Sequence, residues 1–405
     1  MSVNKGPIVL MPAAEVEPTM LRVHKIKLDP NQEQEVYFRK ACGVARHAYN
    51  WALATWKRQY EAGEKPNEAN LRKQYNAIKP VEFPWALEVT KCAPQQAIKN
   101  AGTAYKNFFD RLKKGKKGRD VGYPTFKKKG LRDSFRADNG PARKGANAVP
   151  TDGKKIKLPI IGWIRLREAV RFSGTIQSTT VSLMADGWYI SVLVETQDVL
   201  QAKKNHGVVG IDLGLKTLAT LSTGECVKGP KAHRALGKRL RRLNQSLSRK
   251  TQGSANFRKA KAKLSKLHKR IADIRQDAVH KLSHRIATEF SVIGIEDLHV
   301  RGMSRNGNLA RSVGDAGMRM FRTQIEYKTS MTGAFVYVHP RFAPSSKVCS
   351  GCGQLHDMPL GKDTLSCDCG LVMDRDLNAS LILEYAASSA VSACGENGSG
   401  AALAA

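Results

Sequence analysis

The sequence predicts a mixed α/β protein of several domains, and three observations lead to this fold class. Residues 31–112 carry the apolar spacing of helices, and residues 134–196 alternate like short strands separated by turn residues. Further along, two buried strands each end in an acid. The chain has 405 residues, 41% of them hydrophobic, which is enough for two or three domains with real cores.

The N-terminal half has the pattern of one strand, then helices, then more strands. Residues 21–28 alternate between apolar and polar side chains and therefore predict a strand. The helical region follows, and the strands within residues 134–196 are typical of a small β-barrel. Residues 201–206 are interpreted as a linker to the second half.

The C-terminal half predicts four short strands, a helical hairpin and a final short helix. The strands are expected at residues 207–212, 218–222, 291–296 and 334–339. Apolar residues recur every three or four positions from Leu236 to Leu282, which predicts two amphipathic helices packed as an antiparallel hairpin. Residues 377–385 predict the last helix, and residues 387–405, rich in Ala, Ser and Gly, are expected to be disordered.

The chain is strongly basic, with 67 Lys and Arg against 35 Asp and Glu and a formal net charge of +32. Residues 106–144 contain 14 basic against 4 acidic residues, and residues 228–285 contain 19 against 2. An ordinary metabolic enzyme has no need of such a charge, which attracts polyanions at long range. Nucleic acid is therefore the expected partner, and an anionic membrane surface is the alternative. The sequence contains no run of 18 apolar residues, so no membrane-spanning helix is predicted.

Three acids stand where strands and a helix meet the edge of the predicted sheet. Asp212 and Glu296 end buried strands, and either Asp374 or Asp376 begins the last helix. Carboxylates gathered at one edge suit Mg²⁺, which takes a few carboxylates and completes its shell with water and substrate oxygens. The alternative is that each acid caps a turn or a helix. Asp297 points to the opposite face of the strand from Glu296 and is interpreted as structural.

Four cysteines cluster late in the chain, as a C-x-x-C pair at Cys349 and Cys352 and a C-x-C pair at Cys367 and Cys369. Four thiolates in two short pairs predict one tetrahedral, structural Zn²⁺ site. The narrow C-x-C spacing leaves open that His356 replaces one thiolate, or that the site is weakened. The other cysteines are scattered, which indicates a reducing, cytosolic compartment.

Several motifs occur in the order typical of one family. In the C-terminal half they begin at Gly210 (GIDLG), Gly294 (GIEDL), Cys349 (CSGCG) and Asp374 (DRDLNA). In the N-terminal half they begin at His47 (HAYNW), Gln95 (QQAIKN), Tyr105 (YKNFF) and Gly122 (GYPTFK). Across roughly residues 20–385 the sequence resembles the TnpB family, which are transposon-encoded proteins related to type V CRISPR effectors.

The resemblance implies an RNA-guided DNA endonuclease with a RuvC-like nuclease domain of RNase H fold. Its catalytic triad, which would hold Mg²⁺ or Mn²⁺, falls here on Asp212, Glu296 and Asp376. The implied layout is a flexible leader at 1–19, a wedge-like β-barrel at 20–30 and 120–203, a helical recognition domain at 31–119, the nuclease domain at 204–344 and 371–386, a zinc ribbon at 345–370 and a disordered tail at 387–405.

The resemblance also implies the partners. A guide RNA from the transposon end would pair with one strand of double-stranded target DNA, in a monomeric ribonucleoprotein of the prokaryotic cytoplasm and nucleoid. A miniature type V CRISPR effector, a non-cleaving RNA-guided repressor and an ordinary transposase are the alternatives. Contacts to nucleic acid are expected from residues of the two basic segments: Lys113, Lys114, Lys116, Lys117, Tyr123, Lys127, Lys128, Lys129, Arg239, Arg242, Lys269 and Arg270.

Overall fold

The computed structural model describes residues 19–140, 146–197, 207–359 and 361–396. The chain divides into two compact units, Met1–Asp198 and Val199–Ala405. The expected leader, except for its last residue, and the expected linker at residues 201–206 lie outside the described residues. None of the described helices combines the length and the apolar character needed to cross a membrane.

The N-terminal unit begins with a strand and three helices, as the sequence predicts. The bounds are β1 Met20–Asp29, α1 Gln32–Glu61, α2 Glu68–Glu82 and α3 Cys92–Lys113, with short 3₁₀ turns at Pro84–Leu87 and Gly118–Asp120. A capping box starts α1, because the Asn31 side chain accepts from the Gln34 backbone N–H while the Gln34 side chain accepts from the Asn31 N–H. The helices pack through fully buried Phe38, Leu71 and Tyr75, among others.

Seven strands form one sheet in the N-terminal unit. The remaining strands are β2 Ser134–Arg136, β3 Thr151–Asp152, β4 Lys155–Leu158, β5 Gly162–Leu166, β6 Thr175–Met184 and β7 Gly187–Thr196. Their order is β2-β6-β7-β1-β5-β4-β3. Strand β1 therefore lies in the middle, antiparallel to β7 and β5, although three helices separate it from both along the chain. Each predicted strand of this half is present.

A five-stranded sheet lies at the centre of the C-terminal unit. Its strands are β8 Val208–Asp212, β9 Ala219–Leu221, β10 Cys226–Val227, β11 Val292–Glu296 and β12 Phe335–His339. The order is β10-β9-β8-β11-β12, and β11 runs parallel to both β8 and β12. A separate two-stranded hairpin follows, made of β13 Thr364–Ser366 and β14 Val372–Asp374. The four predicted strands are confirmed as β8, β9, β11 and β12.

The helices of this unit include the predicted hairpin. The bounds are α4 Ala232–Ala235, α5 Gly237–Ser248, α6 Ala255–Glu289, α7 Val300–Met303, α8 Ala310–Ala316, α9 Met318–Thr332 and α10 Arg375–Glu396. A short loop joins α5 to α6, and the two pack through buried Leu240, Leu267 and Ile271. The hydroxyl of Ser254 caps α6 by accepting from the Phe257 N–H. The hairpin expected from the leucine spacing is thus confirmed.

Helix α10 packs directly on the five-stranded sheet. A Cβ atom added to Gly210 on β8 would lie 1.8 Å from the Ser380 carbonyl oxygen, and one added to Gly294 on β11 would lie 2.3 Å from that of Leu383. Only glycine permits so close an approach of helix and strands. The helix runs on through Glu396, so the expectation of disorder from residue 387 is wrong for residues 387–396. Alanine favours a helix, and Ala387 is fully buried.

Candidate active site and thiol cluster

The carboxylates predicted to act together lie at one edge of the five-stranded sheet. Asp212 is the last residue of β8 and Glu296 the last of β11, and the two parallel strands pair in register through Ile211 and Ile295. Asp376 comes from the first turn of α10. A Cβ atom added at Gly214, in the loop after Asp212, would lie 3.8 Å from the Asp376 Oδ2 atom. Residues far apart in sequence therefore converge because α10 lies against β8.

The three acids repel one another. Burial of the Asp212 carboxyl, followed by the charges of Glu296 and Asp376, raises its pKa to about 8, although the Arg375 guanidinium acts in the opposite direction. Like charges held together in a partly buried place disfavour the ionised form unless a cation is present. Their carboxylate oxygens are the donors that a hard divalent cation prefers, although among the described residues only the four clustered cysteine thiols lie close enough together to share one ion as they stand.

Asp374 and Asp376 have different surroundings. The Asp374 Oδ1 atom accepts from the backbone N–H groups of Asp376 at 2.9 Å and Leu377 at 3.1 Å, and so caps α10. The Asp376 carboxylate accepts instead from the Arg375 guanidinium at 3.0 Å. Asp374 is therefore the capping residue, and the charge of Asp376 acts on Asp212 more strongly than that of Asp374 does.

Asp297 is part of an ion-pair cluster next to the carboxylate edge. Arg322 on α9 and Arg341 after β12 both donate to its carboxylate, the second at 2.6 Å. The hydrogen bond from Arg322 and the neighbouring positive charges lower the pKa of Asp297. The structural role expected for this residue is confirmed, because it fixes the chain just after Glu296.

Two contacts at this edge were not expected from the sequence. The Ser345 hydroxyl donates to the Glu296 Oε1 atom, and Ser345 is 5% exposed. The Arg375 guanidinium holds Asp376. Arg375 stands between two acids in the sequence, and this could have drawn attention to it. No pattern marks Ser345, which is 49 residues from Glu296.

The four clustered cysteines form the predicted thiol cluster. Their sulfur atoms all lie within 4.8 Å of one another, with 3.7 Å between the Sγ atoms of Cys349 and Cys369 and 3.4 Å between those of Cys352 and Cys367. A tetrahedron with Zn–S bonds of about 2.3 Å has sulfur–sulfur edges of about 3.8 Å. The thiols therefore fit one zinc ion. Among the described residues His356 is not part of the cluster.

Backbone geometry allows the narrow C-x-C pair to take part. Gly370 has a φ of +89° and donates its N–H to the Cys367 carbonyl at 3.0 Å, which turns the chain sharply after the second pair. At the first pair, burial raises the pKa of the Cys349 thiol, but the N–H groups of Cys352 and Gly351 lower it, to about 7 overall. The thiolate is the form that binds metal.

The residues predicted to contact nucleic acid are mostly exposed. The exposed ones are Lys113, Lys114, Lys116, Lys117, Lys127, Lys128, Lys129, Arg239, Arg242 and Arg270. Tyr123 is 52% exposed and contacts Tyr105 and Phe108 edge-on. The Lys127 ammonium lies 4.2 Å from the centroid of the Tyr49 ring. Lys269 differs from the others, because its side chain is 19% exposed and pairs with Asp273 at 2.5 Å.

Three sequence families match successive parts of the chain. The family described as "Helix-turn-helix domain" matches residues 20–65, and the one described as "Probable transposase" matches residues 191–307. The family described as "Cas12f1-like, TNB domain" matches residues 319–383. These three segments include the first strand and the first helix of the N-terminal unit, the three acids and the four clustered cysteines.

Solved structures of low sequence identity share the fold. A Cas12f1 chain from a complex with guide RNA and target DNA matches with a TM-score of 0.56 at 14% identity, over 90% of this chain and 99% of that one. The mini-RNA-guided endonuclease CRISPR-Cas phi3 matches with a TM-score of 0.52 at 10% identity, over 93% of each chain. The mixed α/β multidomain class is thereby confirmed.

Curated relatives match over nearly their whole length. A protein of Streptomyces pristinaespiralis named as an RNA-guided DNA endonuclease is 35% identical over 93% of this chain and 91% of its own. The similarly named InsQ of Escherichia coli K12 is 32% identical, over 93% of this chain and 94% of its own. The chain therefore belongs to the TnpB family, whose relatives in these comparisons are named RNA-guided DNA endonucleases.

Proposed function

We propose that this chain is an RNA-guided DNA endonuclease that hydrolyses target DNA at Asp212, Glu296 and Asp376. The observation that carries the proposal is the meeting of these three carboxylates at one edge of the five-stranded sheet, in a chain of net charge +32. The sheet order and the position of α10 support an RNase H-like, RuvC-type nuclease domain. Acids placed in so basic a protein weaken polyanion binding unless a cation neutralises them.

Mg²⁺, or Mn²⁺ in its place, fits the residues present. The donors are carboxylate oxygens, and burial together with the charges of Glu296 and Asp376 raises the pKa of Asp212, an effect that a divalent cation would offset. When bound, such ions supply a nucleophile from water and stabilise the leaving oxygen of a phosphodiester. Asp212, Glu296 and Asp376 would hold them.

The neighbouring residues prepare this edge for an anionic substrate. Ser345 holds the Oε1 atom of Glu296, and the Oε2 atom would be the one that binds a cation. The paired arginines fix the chain at Asp297. Arg375 pairs with the Asp376 carboxylate; an incoming cation would take its place there, and the guanidinium would then be available to a phosphate. The protein's own contribution is thus to hold three like charges in place before the substrate arrives.

The thiol cluster is proposed to bind one structural Zn²⁺, since four thiolates complete a tetrahedron and leave no open position for water. The domain layout that the resemblance implies is part of the same proposal. The N-terminal sheet would be the wedge-like barrel, the helices α1–α3 the recognition domain, and the segment around the thiols a zinc ribbon inserted into the nuclease domain.

The guide is proposed to be RNA from the transposon end, which pairs with one strand of double-stranded DNA in a monomeric ribonucleoprotein. Base pairing would supply the sequence choice, and the basic residues would hold phosphates. A prokaryotic cytoplasm, next to the nucleoid, is the expected location. A miniature type V CRISPR effector would use the same site with a different guide.

The test is cleavage by the Asp212→Ala variant with guide RNA and matching DNA. We expect binding of both nucleic acids to persist and cutting to be lost, because one of the three cation ligands is missing. Asp277→Ala is the matched control, since Asp277 is an exposed acid on α6 paired with Lys281. Unchanged cutting by Asp212→Ala would refute the assignment, and cutting by the wild type without RNA would favour an ordinary transposase.

A further inference from the structure

The segment that carries the first two thiols also contacts the carboxylate edge. We call residues 345–352 the knuckle segment; it begins six residues after the end of β12 and includes Cys349 and Cys352. Its backbone is folded on itself, because the Cys349 N–H donates to the Gln354 carbonyl and the Gly353 N–H to the Cys349 carbonyl, both at 2.9 Å. Thiols and carboxylates therefore share one short piece of chain.

At one end of the knuckle segment, Ser345 holds Glu296. Its hydroxyl donates to Glu296 Oε1, and the serine is buried. The backbone at Glu296 is already fixed by β12 on one side and by the Asp297 ion pairs on the other. These contacts leave the Glu296 side chain free to rotate, and the Ser345 hydroxyl therefore restricts that rotation.

At the other end, Asn378 joins the knuckle segment to α10. Asn378 is fully buried and lies two residues after Asp376. Its Nδ2 donates to the Val348 carbonyl at 2.6 Å, and its Oδ1 accepts from the Ser350 N–H at 2.9 Å. One amide thus holds the backbone on both sides of Cys349.

We propose that Ser345 and Asn378 are positioning residues that couple the thiol cluster to cation binding at the carboxylates. Both act through other groups, since Ser345 orients Glu296 and Asn378 fixes the turn of α10 that carries Asp376. The inference rests on the proposed function for its consequence in DNA cleavage. Mg²⁺ and Mn²⁺ tolerate little displacement of their ligands, and losing a hydrogen bond to a ligand typically costs about tenfold or more in metal affinity.

The first experiment measures Mn²⁺ binding to the full-length protein by the loss of the free-ion signal in electron paramagnetic resonance. We expect Ser345→Ala to raise the dissociation constant about tenfold and Ser345→Thr, which keeps the hydroxyl, to lie closer to the wild type. Ser346→Ala is the matched control, because this serine is adjacent and the hydroxyl that donates to Glu296 is that of Ser345. Wild-type Mn²⁺ affinity in Ser345→Ala would overturn the proposal.

The same variants are then assayed for cleavage with guide RNA over a range of Mg²⁺. We expect Ser345→Ala to need about tenfold more Mg²⁺ for half-maximal cutting, with guide binding and melting temperature unchanged. If the wild type binds Mn²⁺ but cuts no DNA, the proposed function fails while the binding data still decide the role of Ser345. Equal Mg²⁺ requirements in all variants would count against positioning.

The coupling itself is tested by a double-mutant cycle with Cys352→Ser. The loss of one thiol should weaken Mn²⁺ binding, because a loosened knuckle segment no longer holds Ser345 and Asn378 in place. In the Ser345→Ala background the same change should have a clearly smaller effect. If the two effects multiply as independent changes, or if Cys352→Ser leaves Mn²⁺ binding unchanged, the thiol cluster and the carboxylates are not coupled.

Discussion

An aspartate near the end of a strand has opposite surroundings in the two units. In the N-terminal unit Asp138 is fully buried, and its carboxylate accepts from Arg136 at 2.8 Å and from the backbone N–H groups of Gly140 and Thr179 at 2.9 Å. In the C-terminal unit Asp212 faces two further acids, and its pKa is raised to about 8. A carboxylate whose hydrogen bonds are satisfied stabilises a fold, whereas one that faces like charges does not unless a cation binds it, which is the role proposed for Asp212.

The largest expected effect comes from Asp212→Asn. The amide keeps the shape but removes a charged ligand, so cutting should fall on the order of a thousandfold or more. The melting temperature of the metal-free protein should not fall, because repulsion with Glu296 and Asp376 is relieved. Thermal denaturation and cleavage are measured on the same preparation. A marked loss of stability would show that Asp212 is a structural acid like Asp138.

Asp138→Ala should have the opposite effect, since it should lower the stability of the protein rather than its cutting. The change leaves Arg136 and two N–H groups without their acceptor in a buried place, which costs about 3 kcal/mol in the free energy of unfolding. Denaturant unfolding measures this cost, and Asp152→Ala, at an exposed acid on β3, is the control. If the two variants unfold at the same denaturant concentration, the contrast between the two units does not hold.

Lys328 on α9 extends the comparison to a buried cation. It is 6% exposed, and among the described residues its ammonium donates to two neutral oxygens, the His280 carbonyl at 2.8 Å and the Ser283 hydroxyl at 2.7 Å. Burial lowers its pKa to about 8, from 10.5 in the unfolded chain. Between these pH values the unfolded chain binds more protons, so the free energy of unfolding should rise with pH.

The rise should be about 1 to 2 kcal/mol from pH 8 to pH 10, measured by urea unfolding. Lys328→Met removes the titrating group and should flatten this part of the pH profile. A profile that is equally steep in the variant would assign the pH dependence to other groups.

The smallest expected effects are those of single basic residues. Arg270 is exposed on α6, whereas its neighbour Lys269 pairs with Asp273. Arg270→Ala should weaken nucleic-acid binding a few-fold and lower the salt dependence by about one counterion, while Lys269→Ala should change it less. Binding of a labelled RNA is measured at several salt concentrations. An equal loss in both variants would mean that the ion pair with Asp273 opens on binding.

The sequence predicts the parts of this molecule that depend on local pattern. The strands ending at Asp212 and Glu296 and the hairpin from Leu236 to Leu282 follow from apolar spacing, and the structure contains them. The choice of Asp376 over Asp374 needed the family resemblance, because both acids begin the same helix. The structure shows one difference between them, since Asp374 accepts from backbone N–H groups at the start of α10.

What sequence reasoning missed depends on contacts between distant segments. Ser345 contacts Glu296 and Asn378 contacts the knuckle segment only because the strands and α10 bring them together. The length of α10 was missed for the same reason. Residues around Ala387 have the composition of a loose tail, and burial against the sheet at Gly294 keeps them helical.

The close packing of α10 against Gly210 on β8 and Gly294 on β11 limits how far the C-terminus of this protein can be shortened. Ala387 lies in the sheet-facing row of the same helix that carries Asp376 at its start. Ending the chain at residue 386 would remove the Ala387 contact with Gly294 and weaken the packing of the helix that begins with Asp376. A compact version should therefore be cut beyond the last turn of this helix.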